Sequence, residues 1–559
     1  MDFLVGFLQS GFSAIGPFFI LLGLLIFVHE LGHFLVARWN GVRVEVFSLG
    51  FGKKIFQYKK GDTNYCISIM PLGGYVKMFG DDPSVEIPDN EKPYSFLHQS
   101  VGARIAIVLA GPLMNLFFAI FLFFALGLIG EQVAGTKLGD IDSNTAAYTA
   151  GFRSGDNILQ INDKTMATWV QVSDTISDSA GKPLSFVLDR KNEAVTVVAT
   201  PVLTPTNSLL ALRSEVGDIE GLSVLSQSSR VSVLDPLSPA ARAGMMPVEQ
   251  ISSINGVEVK TYRDIDTQLE RWLRGPRGPI EIETQEITQG DSHSKRKIVV
   301  PDFEPMSPDQ LSQQLGFETT SLVIFRPKSG SPAESAGLQH GDRLVMANGK
   351  LLSDFSDLVK VVSSFDESHP PIELKVQRRE GIKTLSVAPE LTDAPGRQGA
   401  LERRYTLGIM SSVEYTVSSK AINRYGFVDS VKLGFVKTWE WTQRITLGIA
   451  KLVQNEVSSK NIGGFITIGR VASQSFEMGI DRFIQTMALI SINLFLLNLL
   501  PVPVLDGGHL LFFTIEALRG APMSMRKMEI AQQVGLVLLL FLMIFALFND
   551  ISNYFNSIW

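Results

Sequence analysis

Apolar residues run nearly without interruption through four stretches, roughly 12–37, 102–129, 483–505 and 530–548. Each is close to the ~20 residues a helix needs to cross a bilayer, so the pattern predicts four membrane-spanning helices. Between the first two, NYCISIM (64–70) alternates like a strand, PLGG follows as a turn and YVKMFG (75–80) resumes the alternation. This predicts a β-hairpin that folds back toward the membrane. Between the second and third spans lies a long insert, about 130–482, in which short alternating runs and turns replace the apolar stretches.

The insert contains a repeat. TAAYTAGFRSGDNILQIND (145–163) returns as SPAARAGMMPVEQISSING (238–256) and as SPAESAGLQHGDRLVMANG (331–349), with Gly151, Gly244 and Gly337 spaced by 93 residues each time. In every copy an asparagine follows eleven residues later, as Asn162, Asn255 and Asn348. A period this long with strand, turn and helix cues predicts three small domains rather than a solenoid. A short helix with an A-G end leading to a strand and an I-N-G turn resembles the PDZ family, over about 131–392. The second copy has Val248-Glu249 where the others have Gly155-Asp156 and Gly341-Asp342, which predicts a different loop there. The plainer reading of any one copy is a spacer that binds no peptide.

After the third copy, LTDAPGRQGALERR (391–404) reads as a linker. Residues 427–453 then read as an amphipathic helix, with Val431, Phe435, Trp439, Ile445, Ile449 and Leu452 on one side and Lys432, Lys437, Arg444 and Lys451 on the other. Two tryptophans with a basic face suit a helix lying on a membrane surface; the alternative is a soluble helix packed on a domain. The resulting division is 1–130 (two spans and the hairpin loop), 131–219, 220–310 and 311–392 (the repeats), 393–482 (linker, amphipathic helix, Gly-rich segment) and 483–559 (two spans). The fold class is a polytopic α-helical membrane protein with four transmembrane helices, a cytoplasmic β-hairpin region and three inserted PDZ-like β/α domains.

Charge orients the spans. Residues 1–37 carry no Lys or Arg, 38–104 carry nine, the loop between the last two spans carries Arg519, Arg526 and Lys527, and 528–559 carry none. The positive-inside rule then places both termini and the long insert outside and both short loops in the cytoplasm. The first span, with no preceding basic residue and no small-residue cleavage site after it, reads as an anchor rather than a signal peptide. Only 19% of the 559 residues are charged and mean hydropathy is +0.18, as expected of soluble domains joined to a few spans. A net charge of -6 without a basic tail argues against a nucleic-acid partner. Cys66 is the single cysteine, which excludes an intrachain disulfide and any CxxC site. A metal would have to be held by His, Asp or Glu.

Inside the first span lies His29-Glu30-Leu31-Gly32-His33. Ionisable groups within a bilayer are costly and mark function by default. At i and i+4 both imidazoles share one helix face and can ligate one Zn²⁺, while Glu30 projects beside the open position, where it can take a proton from water. Catalytic zinc wants three protein ligands, and two histidines are one short. Asp506, just past Pro501 and Pro503 in NLFLLNLLPVPVLDGGHLLF (493–512), is a candidate; His509 is its rival. Both prolines break a helix, which a membrane tolerates where the backbone faces protein or a water-filled cavity.

HExxH in a first span, Gly111-Pro112-Leu113-Met114-Asn115 in a second and N-x-x-P-x-P-x-L-D-G in a third together resemble the site-2 protease family of intramembrane zinc metalloproteases, in its bacterial form with PDZ domains between the second and third spans. The resemblance covers nearly the whole chain, and departs from the familiar form in having three PDZ-like copies instead of two. It implies regulated intramembrane proteolysis at the bacterial inner membrane, with Zn²⁺ as cofactor, His29, His33 and Asp506 as its ligands and Glu30 as general base. Asn115 and Asn498 match motif asparagines near the substrate backbone; for Asn115 an interhelical hydrogen bond is an equal alternative. The region around Gly74 and Tyr75 matches an edge to which an unwound substrate adds as a strand, with a plain hairpin as the alternative. Gly111 and Gly32 read as close-packing positions. The segment 461–479 resembles a Gly-rich element before the third span. Substrates implied are single-span membrane proteins of the anti-sigma-factor or remnant-signal-peptide type, and the repeats would gate their entry. Two other classes compete: a membrane-anchored PDZ scaffold, which has no need of HELGH, and a metal transporter, which needs polar positions spread along its spans.

Overall fold

The structure, a computed structural model, describes residues 2–82, 85–206, 210–285, 295–305, 311–395, 401–454, 457–521 and 523–558. The chain forms two compact units, Met1–Gln132 with Ser208–Leu212 and Ile422–Ile558, and Val133–Asn207 with Arg213–Ala421.

In the first unit, helix α1 (Asp2–Trp39) is followed by strands β1 (Val44–Lys60) and β2 (Thr63–Met78) and by helix α2 (Val101–Ile129). Among the described residues four helices are long and apolar enough to cross a membrane: Gly16–Trp39 within α1, α2 itself, Ile480–Asn498 and Arg526–Ser552. The first three meet around Leu21, Leu25, Leu122, Phe123, Met487 and Ile492. The expected third span over 483–505 is shorter than its apolar run. Its helix ends at Asn498, and a second begins at Asp506 and continues to Arg519. Pro501 and Pro503 lack the N–H groups a continuous helix requires, so the chain turns between them.

The stretch 427–453 is helical over Phe427–Val453; Ile445 of its apolar side packs with Trp441 against the helical core, while the earlier part of that side faces away from protein. Ser430, Gly434 and Thr438 are its buried residues, whereas Phe435 and Trp439 are 59% and 64% exposed. A Cβ on Gly434 would lie 2.7 Å from the Ile120 carbonyl oxygen of α2. Small residues let the two backbones close up, the usual interface of helices whose large side chains have an apolar surrounding. Asp550 binds the Gly-rich segment: its carboxylate accepts the backbone N–H groups of Gly464, Ile466 and Thr467, at the start of helix Phe465–Met478.

The β layer departs from the expected hairpin. β1 and β2 turn at Gly61-Asp62, and PLGG lies within β2. Val46 pairs with both Asn64 and Lys77, and Ser48 with both Cys66 and Tyr75. Residues 46–49 therefore lie between 64–67 and 74–77, the two limbs expected to pair with each other. The sequence pattern reads alternation in each limb but carries no signal for the strand inserted between them.

In the second unit each repeat forms an antiparallel sheet over its own apolar core, closed by a helix: Trp169–Ser177, Tyr262–Arg274 and Phe355–Ser363. Asn162, Asn255 and Asn348 have φ of 47°, 49° and 48°, the left-handed region asparagine tolerates. Each side-chain oxygen accepts the backbone N–H of the neighbouring strand at 2.9 Å, from Ser185, Glu281 and Glu373. The expected departure of the second copy is seen in the backbone, where Gly155 and Gly341 have φ of 87° and 82° but Val248 already opens a strand (Val248–Ile254), while the contact of the acid is kept. Asp156 meets Arg190, Glu249 meets Arg296 and Asp342 meets Arg378, and each arginine also donates to the carbonyl of the repeat glycine, Gly151, Gly244 or Gly337. Glutamate replaces aspartate in the same contact. The stretch read as a linker is paired: Glu390–Pro395 and Leu401–Thr406 form antiparallel strands. Residues 396–400 of that stretch lie outside the described residues.

Candidate metal centre

α1 carries His29 and His33 one turn apart, and the turn at 499–505 brings Asp506 to them. His29 Nε2 lies 3.3 Å from His33 Nε2 and 3.2 Å from Asp506 Oδ2; His33 Nε2 lies 3.6 Å from Asp506 Oδ1. Among the described residues these three form the one His/Cys/Asp/Glu group whose donor atoms all fall within 4.8 Å of one another. Tetrahedral zinc with bonds of ~2.0–2.1 Å holds its ligand atoms about 3.3 Å apart. The spacing fits that ion. Two neutral imidazole lone pairs and a carboxylate converging so closely repel one another unless a cation lies among them.

The sequence around Asp506 explains its delivery. It is the first residue of its helix, where the positive end of the helix dipole favours a carboxylate. A Cβ on Gly507 would lie 2.2 Å from the Leu500 carbonyl oxygen, and one on Gly508 2.4 Å from Pro503 Cα. Only glycines let this helix start fold so tightly onto the turn. Farther along the same helix Glu516 receives both ends of the Arg104 guanidinium, at 2.7 and 3.1 Å, with the pair nearly buried and Arg104 stacked over Phe513. This bidentate pair fixes the Asp506 helix to α2. The sequence reading missed it, although a charge at each margin of an apolar run was its signal.

α2 also lies behind both histidines. His33 Nδ1 donates to the Ile107 carbonyl oxygen at 2.9 Å, which leaves Nε2 free to ligate. Gly111 has no side chain because a Cβ there would lie 2.2 Å from His33 Nε2, and a Cβ on Gly32 would lie 2.4 Å from the Ala110 carbonyl oxygen. Asn115 has no exposed surface; its Nδ2 is 3.4 Å from His29 Nδ1, its Oδ1 is buried without a partner, and its backbone oxygen accepts the Ser491 hydroxyl at 2.7 Å.

Glu30 is buried beside the histidines and packs against β2, where a Cβ on Gly74 would come within 2.9 Å of Glu30 Cγ. Tyr75 stacks on Phe51, with ring centroids 6.1 Å apart. Asn498 is half-buried at the end of its helix. The rival ligand His509 is outside the three-residue group and packs near Phe512 and Phe513. The structure thus gathers His29, His33, Asp506, Glu30, Gly74 and Asn115 into one neighbourhood.

The sequence profile of Peptidase family M50 matches residues 17–542. The regulator of sigma-E protease RseP of Salmonella typhimurium is 30% identical over 540 residues, 96% of this chain and 98% of that protein. The Escherichia coli protein of the same name is 29% identical over 545 residues, again 96% and 98% of the two chains. A Neisseria meningitidis protein whose name includes zinc metalloprotease is 29% identical over 534 residues, 95% of this chain and 97% of its own.

Proposed function

This chain belongs to peptidase family M50, and from that premise we propose that it cuts single-span membrane proteins, within or beside the bilayer, at the His29–His33–Asp506 centre. It is a zinc-dependent metalloendopeptidase and a multi-pass membrane protein of the kind that serves regulated intramembrane proteolysis. The observation that carries the site assignment is the convergence of three ligand atoms at tetrahedral spacing from two helices far apart in sequence.

Zinc, when bound, supplies Lewis acidity toward a peptide carbonyl and lowers the pKa of water. His29, His33 and Asp506 would hold it. Glu30, adjacent on α1, takes the proton of the attacking water and returns it to the leaving amine. A transmembrane substrate must lose its helical hydrogen bonds before a carbonyl is accessible, and unpaired backbone is costly in a bilayer. The 74–77 limb of β2 passes Glu30 at Gly74, so a strand added along Gly74 and Tyr75 keeps the substrate backbone bonded beside the base. Asn498 contacts the same substrate. The basic loops orient the spans with the centre near the cytoplasmic side of the inner membrane and the repeats outside. Helix Phe427–Val453, with Phe435 and Trp439 outward, lies against lipid. The PDZ-like repeats gate entry, admitting substrates trimmed to a short outer stump such as a shortened anti-sigma factor or a remnant signal peptide.

The test combines zinc content with cleavage of a model single-span substrate, in detergent, for parent, His33→Ala and Asp506→Ala. Loss of both in both variants is expected. Stoichiometric zinc retained in His33→Ala means that the ligand set is wrong. Bound zinc in the parent with no cleavage of any trimmed substrate favours a scaffold or a transporter. For the gate, residues 136–392 are replaced by a flexible linker. The shortened chain is expected to cut trimmed substrate as before and begin to cut the untrimmed form; continued rejection of the untrimmed form places the filter elsewhere.

A further inference from the structure

We propose that Asn115 is a positioning residue that holds His29 in its zinc-binding tautomer, by accepting the Nδ1 hydrogen of His29 on its carboxamide oxygen. The inference rests on the metal-centre reading above and assigns to Asn115 a task other than contact with substrate.

His29 turns Nε2 toward His33 and Asp506. A neutral imidazole that ligates through Nε2 carries its hydrogen on Nδ1, which then needs an acceptor. His33 solves this with the Ile107 carbonyl at 2.9 Å. For His29 the polar side-chain group at Nδ1 is the carboxamide of Asn115, at 3.4 Å. With the NH₂ end facing Nδ1 two donors oppose each other, and Oδ1 is left buried without a partner. Leaving a buried acceptor unsatisfied costs about 1–3 kcal/mol. Turning the carboxamide by half a rotation exchanges two groups of nearly equal size, sets Oδ1 against Nδ1–H, and so replaces a donor–donor contact with a hydrogen bond. The geometry therefore selects the rotamer with oxygen toward His29. Both zinc histidines are then oriented from one element: α2 supplies a backbone carbonyl at Ile107 and a side-chain carbonyl two turns later at Asn115.

The backbone around Asn115 is held separately. Its carbonyl oxygen accepts the Ser491 hydroxyl, and that bond joins α2 to Ile480–Asn498 without involving the carboxamide. Packing and histidine orientation can thus be perturbed independently.

The experiment measures zinc dissociation constants of the full chain in detergent, by competition with a chromophoric chelator, for parent, Asn115→Leu, Asn115→Asp, Ser491→Ala and His33→Ala. Leucine keeps the approximate volume and removes the acceptor, and a fall in affinity of about 10–100-fold is expected, as for other groups that orient a metal-bound histidine. Aspartate restores an acceptor, and affinity within about threefold of the parent, or tighter, is expected. Ser491→Ala weakens only the helix contact and should leave zinc affinity unchanged. Parent-like zinc affinity in Asn115→Leu overturns the proposal. So does aspartate weakening zinc as much as leucine, because size or packing would then be the cause. If His33→Ala also binds zinc like the parent, the metal-centre reading itself fails, which separates the two failures. A leucine variant that does not fold leaves the aspartate result to decide: an acceptor-bearing variant that folds but binds zinc tenfold more weakly removes the role.

Discussion

In the third repeat the Asp342 carboxylate is almost inaccessible and receives two donors from Arg378 and a third from the backbone of Gln339. In the helical unit Glu30 is buried nearly as deeply, and Asp506 faces two imidazole nitrogens that are neutral in their ligating form. The repeat supplies its acid with a full set of hydrogen-bond donors and a permanent cation. The centre leaves its acids without one. Membrane surroundings do not explain the difference, since Glu516 in the same helix as Asp506 receives a bidentate arginine. A satisfied buried acid fixes structure; acids held close together without a cation make a place for a metal ion and a mobile proton.

The comparison breaks most severely at Glu30. Glu30→Gln preserves shape and all three ligands but cannot accept a proton. Cleavage should fall by about 10²–10⁴-fold while zinc content stays at the parental level. Turnover within about tenfold of the parent would remove Glu30 as the base. The repeats should behave in the opposite sense. Arg378→Met leaves Asp342 buried without its cation and should destabilise the third repeat by about 3 kcal/mol, read as earlier thermal unfolding and new protease cuts within 311–392, with zinc affinity unchanged. A loss of zinc with stability preserved would reverse the two roles.

Two smaller effects sharpen the same contrast. Because Glu249 fills the aspartate's place in the second repeat, Asp342→Glu should cost only about 1 kcal/mol, the strain of one added methylene; an effect as large as that of Arg378→Met would show that the pocket, not the charge, is selective. In the second repeat burial pushes the Tyr262 phenol up to about 12, while its hydroxyl donates to the Phe317 carbonyl at 3.1 Å. A raised folded pKa keeps its stabilisation below the unfolded value near 10 and loses it as pH rises toward 12. Stability of the parent relative to Tyr262→Phe should therefore decline between about pH 10 and 12. A constant difference across that window would mean that the phenol is not held neutral by the fold.

Local physics made much of this protein legible from sequence. Apolar runs of bilayer length needed only hydropathy, and two histidines at i and i+4 share a helix face by helical geometry alone. A recurring asparagine marked the left-handed turn in each repeat because few other residues adopt that backbone, as the φ values of Asn162, Asn255 and Asn348 show. Other features required the chain to close on itself. Asp506, not His509, stands beside His29 because prolines turn the backbone at 501 and 503 and two glycines let the next helix start fold onto that turn. Residues 46–49 come between the limbs of β2, an insertion to which periodicity within either limb is blind. Helix Phe427–Val453 turns its smallest residues inward, the reverse of the rule for helices in water, since packing among membrane helices depends on close backbone approach. The pairing of Glu249 with Arg296, and the meeting of Asn115 with His29, join residues that have no sequence relation. Such contacts arise from which surfaces the folded chain brings together, and tertiary structure alone decides them.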